Sequence, residues 1–151
     1  MRKLLLACLL LVAATASADK PLAVASIEAR LFYNYSGTLS KPITSKTVLW
    51  NAVVGEGNIS EPSNSTFVDV LVTGEPGSFE PNAKVTLVVS DKSSGKVLQN
   101  QSAEVGVLNA AGKYHAGFWI PKTGCVPLLL KASIAGSKAQ KAITVPFACG
   151  E

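Results

Sequence analysis

From residue 66 onward the apolar positions fall on alternate residues in short runs, and clusters of Gly, Pro, Asn and Ser cut one run from the next. Val68, Val70 and Val72 alternate with Phe67, Asp69 and Leu71, while Val85, Leu87 and Val89 alternate with Lys84, Thr86, Val88 and Ser90. An extended chain sends successive side chains to opposite faces, so each run implies one buried face. The pattern predicts strands at 24–33, 47–54, 66–73, 83–90, 96–101, 103–108, 113–120, 126–134 and 139–148. Between them lie turn sequences: Gly74-Glu75-Pro76-Gly77, Asp91-Lys92-Ser93-Ser94-Gly95, Asn109-Ala110-Ala111-Gly112 and Ala135-Gly136-Ser137-Lys138. No window after residue 18 holds helical spacing for three turns, so the expected fold class is all-β.

The last two runs also predict a register. A two-residue Gly136-Ser137 turn sets Val126 across from Phe147, Leu128 from Val145, Leu130 from Ile143 and Ile134 from Ala139, matching apolar faces. Cys125 then falls one step out of line with Cys149, and a β-bulge near Pro127 or Pro146 would bring the sulfurs together.

The N-terminus follows a different rule. Arg2 and Lys3 precede an apolar run from Leu4 to Ala14 and the small-residue triplet Ala16-Ser17-Ala18. That is the order of a cleavable export signal, so residues 1–18 are read as a signal peptide and 19–151 as a single β-sandwich domain in a secreted or periplasmic protein. Leu5-Leu6-Ala7-Cys8 has the form of a lipoprotein processing site, but cutting there would leave too short an apolar region. No later run approaches the roughly 20 apolar residues of a spanning helix, so no membrane span is expected in the mature chain.

Without Arg2 and Lys3 the chain carries twelve basic and ten acidic residues, and the basic ones are scattered. That balance offers no evident landing site to a nucleic acid or to an anionic membrane. Loss of Cys8 with the signal leaves Cys125 and Cys149, which in an oxidising compartment are expected to form one disulfide. They lie 24 positions apart with His115 as the lone histidine, too few ligands for a zinc centre and the wrong spacing for a redox pair. Neither metal nor cofactor is expected.

The segment from Thr66 to Phe147, with an early core strand at 66–73 and the run Gly112-Lys113-Tyr114-His115-Ala116-Gly117-Phe118-Trp119 after a Gly turn, resembles an immunoglobulin-like antiparallel β-sandwich module of exported bacterial proteins. It departs from antibody domains in placing both cysteines at the end of the chain. The resemblance implies the sandwich fold and no chemistry.

Candidate chemistry is sparse. Ser93-Ser94-Gly95-Lys96 and Lys122-Thr123-Gly124 have the form of two elements of penicillin-recognising enzymes, but the serine there opens a helix and here sits in a turn. His115 lacks a local nucleophile motif, and no catalytic residue is assigned. Glu56, Glu61, Glu75 and Glu80 fall in loops without the alternating ligands of a calcium loop. Four Asn-x-Ser/Thr triplets begin at Asn34, Asn58, Asn64 and Asn100, where about one is expected by chance from this composition. In a eukaryote they are glycan acceptors; in a bacterium, which the short signal favours, they are turn chemistry.

Aromatic residues give the remaining signal. Tyr33 and Tyr35 precede a polar loop, and alternation puts Phe118 and Trp119 on opposite faces, so one of that pair needs a cover from the 24–54 segment. Tyr33, Tyr35 and Trp119 are therefore the candidate binding residues, with the loops 33–38 and 55–65. The expected role is non-catalytic: binding or structural association with a protein or surface ligand. The alternatives are a small extracellular enzyme or enzyme inhibitor whose active residues converge only in the fold, and an envelope module using an unpaired strand edge.

Overall fold

The computed structural model describes residues 20–44, 46–137 and 139–150. The expected signal over 1–18 lies outside the described residues, as does Lys138 of the last turn. Nine strands and no helix occur among the described residues: β1 (Ala23–Phe32), β2 (Leu49–Trp50), β3 (Ser65–Thr73), β4 (Lys84–Asp91), β5 (Val97–Glu104), β6 (Lys113–Pro121), β7 (Leu128–Ile134), β8 (Gln140–Val145) and β9 (Phe147–Ala148).

These strands form two antiparallel sheets, ordered β1-β3-β6 and β5-β4-β7-β8, and one short parallel pair, β2-β9. The alternation read from the sequence sets the faces. Val68, Val70 and Val72 of β3 and Val85, Leu87 and Val89 of β4 are fully buried in one cluster with Ala29, Leu31, Leu130 and Ala132. Both sheets thus line a single core, an arrangement compatible with a β-sandwich. Each fully buried Leu or Val there contributes about 1.5–3 kcal/mol of burial.

The edge of β1 is covered rather than open. Leu39 bridges to Phe32, the Ser40 and Ile43 amides donate to the carbonyls of Leu31 and Ala29, and the Ser40 hydroxyl accepts from the Leu31 amide at 2.9 Å. With Pro42 lacking a donor, this segment makes a poor template for further strand pairing.

The strands depart from the expected pattern in three places. The 47–54 strand shrinks to two residues because Asn51, at φ 46°, turns the chain back on itself. The 96–101 and 103–108 pair is one strand, β5: Gln101 to Glu104 continue pairing with β4, and pairing ends before Gly106. In the last hairpin, Leu128 faces Val145 and Leu130 faces Ile143 as the register requires, but Val126 does not face Phe147. At Pro146, which has no N–H for the ladder, the chain leaves β7, and Phe147 pairs with Leu49 in parallel instead. Cys125 and Cys149 are joined by a disulfide with Cα atoms 4.8 Å apart, consistent with an oxidising compartment.

Candidate functional site

β1, β4, β6 and β8 run toward one end of the molecule, and the chain between β1 and β3, the β4–β5 turn, the β6–β7 loop and the C-terminal segment all meet there. Main-chain hydrogen bonds join these segments. The Asn34 amide donates to Pro62, Ser63 to Ala52, Lys92 to Pro127, Thr123 to Asn64, and Asn51 to Ala148, all at 2.8–3.0 Å. Beneath them the Thr66 and Thr123 hydroxyls, both buried, lie 2.9 Å apart. Loops tied in this way form a preorganised surface, which lowers the ordering cost of binding.

That surface is apolar. Of the twelve large hydrophobic side chains exposed among the described residues, ten (Tyr35, Leu39, Val48, Trp50, Val53, Val54, Val97, Leu98, Trp119 and Val126) lie in these segments or in the strand ends beside them, leaving Phe79 and Val107 at the opposite end. Scattered exposed apolar residues are ordinary, whereas these gather at one end. Two shallow depressions there share Leu98, Lys122, Thr123 and Leu128, with Val53 and Val126 lining one and Ile120 the other.

The structure gathers the three aromatic candidates at this end without merging them into one pocket. Tyr35 is 81% exposed at the tip of the 33–38 loop. This loop is closed by the Tyr33 amide donating to Thr38 and the Gly37 amide donating to Tyr33, and the Glu61 carboxylate accepts from the Ser36 amide. Tyr33 is half-buried and lines a groove of about 530 Å³ with Ile43 and Ile59. Trp119 stands on the outer face of the β1-β3-β6 sheet, 43% exposed, whereas Phe118 turns into the core at 4%. The expected cover from the 24–54 segment is partial: the Phe32 ring meets Trp119 edge-on, with centroids 4.9 Å apart. Phe67 pairs with Trp119 in register, and its ring occupies the space that a side chain at Gly117 would need. Gln101 of β5 donates to the Trp119 carbonyl at 2.9 Å, which ties the edge of β6 to the second sheet.

His115 sits on the same outer face, with Nδ1 2.7 Å from the Asp69 carboxylate. Among the described residues no hydroxyl or thiol is hydrogen-bonded to its ring, and no three His, Cys, Asp or Glu side chains converge. Asn34, Asn58, Asn64 and Asn100 are all exposed, the first three among the loops of the apolar end and the fourth in β5.

Charge at this end was not legible as a patch, because its lysines come from separate segments. Lys41, Lys46, Lys92, Lys96 and Lys122 are exposed there, and the ion pairs among the described residues, Arg30 with Glu28 and His115 with Asp69, use none of them. Three carboxylates among the described residues accompany them, each engaged within its own loop system. Glu61 binds the Ser36 amide, Glu56 accepts from the Asn51 side chain at 2.7 Å, and Asp91 accepts from the Ser93 amide and the Ser94 hydroxyl, both at 2.7 Å. The Ser94 hydroxyl bond, followed by the Ser93 amide bond, holds the Asp91 carboxyl below its ordinary pKa. Lys122 is held at φ 59°, a conformation uncommon for a side-chain-bearing residue.

No helix among the described residues is long and apolar enough to cross a membrane. Comparison with protein-family models, with curated proteins and with solved structures finds no match to this chain.

Proposed function

We propose that this is an exported, single-domain binding module of immunoglobulin-like type, released by cleavage after Ala18, which acts through its loop end and not by catalysis. The strand order supports the immunoglobulin-like reading. With β1, β3, β4, β6, β7 and β8 taken as strands A, B, C, E, F and G, one sheet runs A-B-E and the other G-F-C, with β5 added beside C in the manner of a C′ strand. One observation carries the functional reading: ten of the twelve large hydrophobic side chains exposed among the described residues crowd one end of a scaffold whose loops are already hydrogen-bonded together.

Tyr35→Ala and Trp119→Ala test it against Phe79→Ala and Val107→Ala at the far end. A partner retained from envelope or extracellular fractions by the immobilised chain should be lost with the first two variants, each by about tenfold or more, and kept with the last two. Equal retention by all four variants overturns the reading. The exposed and internally braced Tyr35 loop favours a second reading, an enzyme inhibitor that presents this ring to an active-site cleft. Stoichiometric inhibition of a hydrolase from the same compartment, abolished by Tyr35→Ala, is its expected signature, and the lack of inhibition across such hydrolases rejects it.

A further inference from the structure

We infer that the loop end docks on an anionic lipid bilayer, with Val53, Val54, Leu98 and Val126 entering the headgroup boundary and the surrounding lysines meeting lipid phosphates. The inference deepens the contact-surface reading and rests on it.

Charge and apolar exposure coincide here. Five exposed lysines outnumber three carboxylates among the described residues of this end, and those carboxylates already accept hydrogen bonds from their own loops. Hydrogen bonding does not cancel their charge, so this end carries a balance of +2 among the described residues. Lys122 borders both depressions, and the Lys92–Pro127 hydrogen bond ties the β4–β5 turn, which also carries Lys96, to the Lys122 loop. Val54, 65% exposed, projects from the turn after β2, and Leu98 and Val126 flank the same depressions. Trp50, Trp119 and Tyr35 are exposed at the same end, the residue types that settle at a membrane–water interface.

A polyanion such as duplex DNA would use the lysines and leave the aliphatic side chains in water. A bilayer uses both, because apolar groups sink into the headgroup–acyl boundary while basic groups add about 1 kcal/mol each near an anionic surface. Lysines from three separate segments and valines from two loops then have one common purpose.

The experiment is co-sedimentation of the full processed chain with phosphatidylcholine vesicles containing or lacking phosphatidylglycerol, with tryptophan emission as a second readout. Binding is expected only to the phosphatidylglycerol vesicles, with a blue shift in emission and loss at high salt. Lys92→Gln/Lys122→Gln should lower the partition coefficient about 30-fold, and Val54→Asp about tenfold. Lys84→Gln/Lys113→Gln removes the same charge at the opposite end and should leave binding unchanged. Four outcomes overturn the inference: no binding, an equal loss from the two lysine pairs, indifference to Val54→Asp, or equally tight binding to duplex DNA that Val54→Asp leaves intact. If vesicles fail while a protein partner is still captured through Tyr35 and Trp119, the lipid assignment falls and the contact surface stands. Failure of both removes both.

Discussion

Asp91 ends β4 and accepts hydrogen bonds from the Ser93 amide and the Ser94 hydroxyl, so one carboxylate shapes the turn that presents Lys92 and Lys96. Its folded pKa is depressed. The turn is therefore favoured above the ordinary Asp range, and this contribution is lost as pH falls through the folded value. Carboxyl NMR titration should show Ser94→Ala raising the Asp91 midpoint toward the ordinary value; an unmoved midpoint would mean that the hydroxyl is not its cause. Alternation alone placed Phe118 and Trp119 on opposite faces, but it could not say which one faces the core. Phe118 goes inward because the alternate positions Ala116 and Ile120 share its face of β6. Tyr35, by contrast, gave no periodic signal at all, since it lies in a turn whose shape depends on Glu61 and Pro62.

Among the elements, β2 and β9 carry the largest consequence for their size. They are two residues each, yet they fasten the chain between β1 and β3 to the C-terminus, helped by the Asn51 side chain accepting from the Gly150 amide at 3.1 Å. The disulfide holds Cys149, next to β9, to the β6–β7 loop. Cys125→Ser/Cys149→Ser is expected to cost about 3 kcal/mol in denaturant unfolding by the chain-entropy argument. Its second effect should be local: amide exchange at Asn51 should accelerate well beyond that at Val70, which sits in the middle of β3. Uniform acceleration would show that the bridge stabilises the fold without organising the loop end. The hairpin register of β7 and β8 was legible because apolar matching is a local, two-residue repeat. The departure at Pro146 was not, since the new partner of Phe147 is Leu49, nearly one hundred positions away.

The arrangement of the two sheets makes the loop end a single surface, and the Asn-x-Ser/Thr triplets test it from another direction. Asn34, Asn58 and Asn64 are exposed among these loops, so glycans attached there would hold a partner or a bilayer away. Chain produced in a glycosylating secretory host should bind phosphatidylglycerol vesicles poorly, and Asn34→Gln/Asn58→Gln/Asn64→Gln should restore binding in that host. A fully glycosylated chain that binds as well as the unmodified one would show that contact is made elsewhere. Period-two burial is written into neighbouring residues, which is why the all-β class, the buried faces of β3 and β4 and the main turns could be read along the chain. The lysines and aliphatic residues of the loop end carry no such local signature. Lys41, Lys96 and Lys122 become neighbours of one surface only when distant strands pair and bring their loops together, and no spacing rule along a chain encodes that meeting.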